Sequence, residues 1–474
     1  MIITPEEHEK ERLLFEAERK RVPELFLRAP MIDDDSFLRR VGIDNVFGDR
    51  PVGYLKLLPQ DFIVEEISRD GLVHDVGLDA LRPAEETEGA TYYADLVKIG
   101  IGTLEVKAQL AESLGIEEKN IGYAGIKDRL ALTSQVVSIR GLADPKKLQN
   151  VVADNYFLKN LRRGKGVVAN GDLRGNRFTI TLRTAEPISA AVKNEMNRKL
   201  DEAKEDGFWN FFYFQRFGTP RLISHLLGLL LLKGKYEETV KTFLTYRGTR
   251  ELPYFTMIRD EIEEKWGDWR GIKTIVDRFP YHFHLERTFI DHLVEHQKDF
   301  LGALHTLPDQ VRLWMYAYDC FLFNCKLSEL IGKGEVPLTL PLITSFKPED
   351  WKPYQSFLEA DGVRLPSRSY RDFPFIRVES RKWPTLQHLE IHNAVFEGRL
   401  AIFAFSLPKG SYATSFLMNF FVLASGLPIV PGISTGPVDA KQVLNIGTLT
   451  PTLERFKTVL DRRRADLDGV IAEE

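Results

Sequence analysis

Residues 176–183 read Asn-Arg-Phe-Thr-Ile-Thr-Leu-Arg, a strict alternation that puts Phe178, Ile180 and Leu182 on one face and Arg177, Thr179, Thr181 and Arg183 on the other. This pattern predicts a strand with one wetted face, which suits an antiparallel sheet. Residues 92–99 are aromatic and β-branched and predict a second strand. Thr103 then stands where a cap belongs, Val106, Leu110 and Leu114 fall on one helical face, and Gly115 ends the helix. This α/β texture runs from Gly53 to about Gly218. From Arg221 to Gly362 it gives way to long helical segments at 222–236, 286–301 and 310–331, joined by proline-rich stretches. Strand texture returns at 389–396 and 400–407, so the chain is expected to come back and complete its first domain. The expected organisation is an extension over 1–52, charge-rich in its first 35 residues, read as an outer helix or a partly mobile segment and without chemistry of its own, a first domain from 53–220 and 363–474, and an inserted, mainly helical domain over 221–362.

Composition narrows the class. A chain of 474 residues exceeds one ordinary core. A hydrophobic share of 43% and a charged share of 28% fit a globular protein, and no run approaches the roughly 20 apolar residues of a membrane span. The amino terminus lacks the basic-then-apolar order of a signal peptide, which makes the cytoplasm the expected location. Cys320 and Cys325 are too few for a disulfide framework and lack the spacing of a zinc site. With a net charge of −4, affinity for nucleic acid has to come from local patches. Candidates are the basic run 159–165, Arg174 with Arg177, and Arg364, Arg368, Arg371 with Arg377.

The informative stretch is Asn120-Ile121-Gly122-Tyr123-Ala124-Gly125-Ile126-Lys127-Asp128-Arg129-Leu130-Ala131-Leu132-Thr133-Ser134-Gln135. It resembles the signature of TruD-type pseudouridine synthases, Ala-Gly-x-Lys-Asp-(Lys/Arg)-x-Ala-x-Thr-x-Gln, at Ala124, Gly125, Lys127, Asp128, Arg129, Ala131, Thr133 and Gln135. Further stretches are similar to the family in the expected order. These are Lys56 with Pro59-Gln60-Asp61-Phe62, the run Asn210 to Gly218, Ala317 to Asn324, and Gly410-Ser411-Tyr412-Ala413-Thr414. Phe211 and Tyr213 depart from the family's tyrosine and glycine, and Asp319-Cys320 from its Gln-Ser.

The resemblance implies an α+β fold: a two-lobed pseudouridine synthase domain with a mixed, largely antiparallel sheet and flanking helices, carrying an inserted, mainly helical domain. It implies tRNA as partner, uridine 13 as target, Asp128 as the catalytic carboxylate and Lys56 as its cationic partner. Forming pseudouridine breaks the bond from uracil N1 to the ribose anomeric carbon and rejoins the base through C5. A carboxylate suits the cationic character left on the sugar. In a pocket that excludes water, that carboxylate needs a neighbouring cation to stay ionised. An extruded base also needs stacking surfaces and polar contacts. Phe62, Phe212 and Tyr412 are candidates to stack on it, and Asn210 to read its edge. Arg129, Gln135 and Arg216 are expected to support rather than react. No metal-ligand cluster or dinucleotide fingerprint is evident and isomerisation needs no redox cofactor, so none is expected; nor is an obligate protein partner. Two other readings remain open at this point. One is a hydrolase for glycosides or nucleosides, with Glu65 or Glu66 as second carboxylate. The other is a non-catalytic tRNA-binding or chaperone protein on the same fold.

Overall fold

The alternating stretch around Phe178 becomes the strand on which a large sheet is built. The computed structural model describes residues 5–27, 29–44, 47–82, 88–151 and 153–471. One unit comprises 30–32, 49–209 and 387–474, the other 1–29, 33–48 and 210–386. The first unit holds an eleven-stranded sheet: β1 (Met31–Ile32), β2 (Val52–Leu55), β3 (Phe62–Ser68), β4 (Thr91–Ile99), β5 (Ile121–Tyr123), β6 (Leu132–Ile139), β7 (Tyr156–Gly164), β8 (Leu173–Arg183), β9 (Glu390–Glu397), β10 (Leu400–Pro408) and β11 (Val422–Ser425). Their order is β1-β11-β2-β8-β3-β6-β4-β7, with β10 also on β8, β9 on β10 and β5 on β6. The β3–β6 and β2–β11 pairs are parallel and the others antiparallel.

Register explains how this sheet makes a site. Tyr54 and Leu55 pair with Arg183 and Leu182, and Phe62 resumes opposite Ile180, while β10 occupies the other edge of β8. Strands β2 and β3 therefore follow one another along the same edge, and residues 56–61 leave the sheet between them. Asp61 anchors this excursion. Its carboxylate accepts a two-pronged contact from Arg183, at 3.0 Å from Nε and 2.6 Å from Nη2, and the Leu58 N–H at 3.0 Å.

The polar face of β8 is not wetted, contrary to the alternation reading. Thr179, Thr181 and Arg183 are each 1% exposed. The reason lies far along the chain, where Leu449, Phe456 and Leu460 pack with Ile63, Val97, Ile99 and Leu132 on that face. Arg183 Nη1 also donates to the carbonyls of Ser434 and Gly436. On the opposite face the helix Thr103–Leu114 buries Val106, Leu110 and Leu114 against Ala94, Leu96, Val137 and Ile139. Gly115 ends it in the left-handed region as expected, but its cap is Gly102, whose N–H donates to Glu105, and Thr103 is freed for another task. Toward β10 the same face carries the rings of Phe178, Phe405 and Phe416, with centroids 5.4 and 4.7 Å apart in succession. Between these flanks lie the side chains that alternation turns the same way, among them Phe62, Glu66, Lys98 and Gln135.

The second unit is helical, with Ser224–Leu232 packed on the long helix Pro308–Lys333. The predicted segment 222–236 ends at Leu232, and 286–301 is two helices, His284–Glu295 and Phe300–His305. The unit extends past 362 because Val363, Tyr370, Phe373 and Ile376 belong to the same apolar core. It extends before 221 because Phe211 and Phe217 are fully buried. The amino-terminal region begins with a helix, Pro5–Arg21, and Phe15 packs on Phe26 and Phe255. Asp33 accepts hydrogen bonds from Tyr213 and Arg250. The large ring that departs from the family pattern at 213 is thus matched by a carboxylate from the region expected to stand apart. Residues 1–4 of that region, and 472–474 of the expected catalytic domain, lie outside the described residues.

Asp319, 1% exposed, accepts the Thr344 hydroxyl at 2.8 Å, and burial pushes its carboxyl up to about 7. The folded protein then binds this proton more tightly than the unfolded chain, so stability is lost as pH rises from about 4 to about 7. Asp319→Asn is expected to flatten that slope and raise the melting temperature above that of the unaltered protein at alkaline pH. Thermal melts across the range check it.

Candidate active site

Lys56 opens the excursion between β2 and β3 with φ of 58°, a left-handed conformation that non-glycine residues seldom adopt. Its ammonium nitrogen lies 3.3 Å from Asp128 Oδ2 and 4.0 Å from the centre of the Phe62 ring. A lysine, an aspartate and an aromatic ring from two separate segments thus converge within the sheet unit. The Asp128 side chain is 45% exposed and Lys56 17%, so the carboxylate is open to an incoming group while its cation is largely covered. Phe62 is 3% exposed, with its ring edge-on to Phe178 at 6.1 Å. A cation over a ring face is an attractive contact of about 0.5–2 kcal/mol and restrains where Lys56 points.

Asp128 sits on the loop between β5 and β6, and the signature residues hold that loop. The Lys127 N–H donates to Thr103 Oγ1 at 2.9 Å, which is why Thr103 is not a cap. Gln135 Nε2 donates to the Gly125 carbonyl at 3.0 Å. The Lys127 ammonium turns inward to Glu66 at 2.8 Å and to Asn176 Oδ1 at 2.7 Å. Lys98, fully buried, donates to the carbonyl of Asp128 itself at 2.7 Å. Arg129 pairs with Glu105 at the surface. Sequence reasoning missed Lys98, Asn176 and Thr103 as neighbours of the site and considered Glu66 only as a second acid; their places on alternating strands, or at a helix start, are the signal that could have pointed to them.

The remaining expected residues stand on other elements. Tyr412 is half-buried in the sheet unit, directly before the helix Ala413–Leu417. Asn210 and Phe212 belong to the helical unit. Asn210 is 2% exposed and donates to the Pro384 carbonyl at 3.0 Å. Phe212 is 2% exposed, its ring packed beside Phe323 and Trp383, so it is core in this conformation and not an open stacking surface. Arg216 lies over the Phe212 ring at 5.7 Å. The hydrolytic reading loses its second carboxylate. Glu65 is buried between Arg177 and Lys441, and Glu66 against Lys127. Of the basic run, Lys159 is structural, donating to the carbonyls of Gly77 and Ala80, whereas Arg162 and Arg163 lie over the rings of Tyr93 and Tyr92. Among the described residues no three His, Cys, Asp or Glu side chains gather as a metal site, and no helix is long and apolar enough to cross a membrane.

A mixed sheet presenting a loop aspartate beside a lysine and an aromatic ring has the architecture of the pseudouridine synthase class. The family model for tRNA pseudouridine synthase D (TruD) matches residues 48–343, and the chain belongs to this family. Relatives carrying that name include one from Methanopyrus kandleri, 30% identical over 72% of this chain and 88% of its own. Another, from Methanococcus vannielii, is 29% identical over 78% and 95%. A crystal structure from Methanosarcina mazei under the same name shares the fold, with a TM-score of 0.62 and 23% identity over 81% of this chain and 97% of that one.

Proposed function

We propose that this chain isomerises a uridine of tRNA, uridine 13, to pseudouridine in the cytoplasm, with Asp128 acting at the ribose anomeric carbon. The observation that carries this reading is the approach of Lys56 to Asp128 at 3.3 Å beside the Phe62 ring, on the loop whose sequence is the family's signature. The carboxylate stabilises or bonds to the anomeric carbon as the bond to N1 breaks. The freed base turns, C5 bonds to the sugar, the C5 proton leaves and N1 regains one. Lys56 holds positive charge beside the carboxylate throughout. Tyr412, half-buried before the helix Ala413–Leu417, offers a ring to the extruded base, whereas Phe62, 3% exposed, is as covered as Phe212 and serves by steering Lys56. Asn210 and Phe212, packed within the helical unit, are not counted among its contacts.

The test is to map pseudouridine in tRNA from a strain lacking this protein, before and after adding it back. Loss and recovery at one uridine is the expected result, and an unchanged map would overturn the reading. Lys56→Met is expected to lower the single-turnover rate about a hundredfold or more while leaving tRNA affinity within about threefold, because the lost contact serves the reacting carboxylate and phosphate contacts are spread elsewhere. An unaltered rate would make Lys56 a bystander.

A further inference from the structure

Lys98 is 0% exposed on β4, on the sheet face that carries Phe62 and Glu66. A lysine so buried is normally held by a carboxylate, since an unpaired ammonium in an apolar setting is costly. Its only described hydrogen bonds are to two main-chain carbonyls, Ile101 at 2.8 Å and Asp128 at 2.7 Å. These two carbonyls belong to different structures. Ile101 precedes the helix Thr103–Leu114, and Asp128 lies in the loop between β5 and β6. One ammonium group therefore ties the floor of the sheet, the start of a helix and the backbone of the reacting aspartate together.

We propose that Lys98 is a positioning residue for the isomerisation: its ammonium group fixes the backbone from which the Asp128 carboxylate reaches the sugar, and keeps a second positive charge beside that carboxylate. The inference rests on the reading of Asp128 as the reacting group. It differs from the role of Lys56, whose ammonium meets the carboxylate itself at 3.3 Å. Lys98 acts through the main chain and touches no reacting atom.

Charge and hydrogen bonding make separate contributions here. A neutral amine still donates two hydrogen bonds, so deprotonation leaves the geometry and removes the field. Burial pushes the Lys98 ammonium down to about 8, with Asp128 the strongest charge opposing that shift. Glu105, from the first turn of the helix, also favours the charged form, whereas Lys127 and Arg129 on the loop disfavour it. On the neighbouring strands its ladder partners are Thr133 and Tyr156, and burial raises the Tyr156 phenol, which leaves that group neutral through this range. The charge of Lys98 is thus present below about 8 and lost as pH rises through it, and the rate of the chemical step should fall over the same interval.

Single-turnover pseudouridine formation on tRNA tests this with Lys98→Met and Lys98→Arg. Lys98→Met should lower the single-turnover rate constant about a hundredfold while tRNA affinity stays within about threefold, the cost of a misplaced reacting group. Lys98→Arg keeps its charge at all working pH values. Whatever activity it recovers should be flat through the interval in which the unaltered enzyme declines. A second measurement needs neither turnover nor a well-folded Lys98 variant. In protein labelled with 13C at lysine, the buried Lys98 signal should titrate near 8, and its midpoint should drop in Asp128→Asn, which removes the opposing charge. A wild-type single-turnover rate and pH profile in Lys98→Met, or a midpoint indifferent to Asp128→Asn, would overturn the proposal. If the unaltered protein forms no pseudouridine in tRNA, the functional reading fails, and the lysine titration still decides whether Lys98 and Asp128 are coupled.

Discussion

Asp128→Asn is expected to abolish pseudouridine formation while weakening tRNA binding by less than about tenfold. Asparagine keeps the shape and the position, so the loop held by Thr103, Gln135 and Lys98 should remain in place. What it loses is the negative charge and the nucleophilic oxygen that, on the proposed reading, meet the anomeric carbon as uracil departs. Affinity for a folded RNA rests mainly on many phosphate contacts, and one side chain at the base of the site contributes little to their sum. The measurement is a pair: pseudouridine content after prolonged incubation, and a binding isotherm at fixed salt. Residual turnover near the normal rate would remove Asp128 from the chemistry altogether.

The second large effect concerns stability and falls on Asp61→Ala. This carboxylate is 1% exposed and takes both prongs of Arg183, itself 1% exposed, together with the Leu58 amide. Removing one partner of a buried pair leaves the other charge stranded, at a cost of about 3–5 kcal/mol. A drop in melting temperature on the order of 10 °C is expected from that loss. Asp61→Leu combined with Arg183→Met should cost less than the sum of the two single changes, because the double variant strands no charge. Additive losses would mean that the two side chains are not coupled as their geometry implies. The folded fraction of Asp61→Ala should also be slow, since the same carboxylate anchors the excursion that presents Lys56.

These two predictions mark how far the sequence could be read. The meeting of Lys56 with Asp128 and Phe62 was legible because all three stand in short motifs that the sequence reading joins, and the structure brings them within 3.3 and 4.0 Å of the Lys56 ammonium. The strand at 176–183 was legible from alternation, and those at 92–99 and 400–407 from their residue types, because both are local properties. The buried state of Thr179, Thr181 and Arg183 was not, because the residues that cover them lie some 250 positions further on, and polar side chains in a strand look the same whether they face water or a distant helix. Thr103 was misread for a related reason. A threonine before a helix is an ordinary cap, and only the folded loop reveals that its hydroxyl accepts from Lys127 while Gly102 takes the cap. Phe212 and Asn210 sit in a motif and so looked like site residues, yet one ring is wedged between Phe323 and Trp383 and the other side chain is spent on Pro384. The reach of the helical unit to 386 was hidden because the helical texture ends near 362, while the loops beyond it continue to feed the same core.

The long interval between β8 and its partner β10 bears on how the protein is made. Strand β8 ends at Arg183 and β10 begins at Leu400, with the whole 210–386 stretch of the helical unit encoded between them. At about 5–20 residues per second, a ribosome needs roughly 10–40 s to deliver the missing strand. During that time the nascent sheet has Asp128 and its loop already emerged, but one edge of its central strand is bare, and Glu65 and Arg183 still lack Lys441 and the 434–436 carbonyls. An unpaired edge of this kind is a template for misassociation with other chains. The sheet is therefore closed last, by its carboxyl-terminal segments, and nascent chains stalled before residue 400 should be captured by chaperones in preference to those stalled after 441.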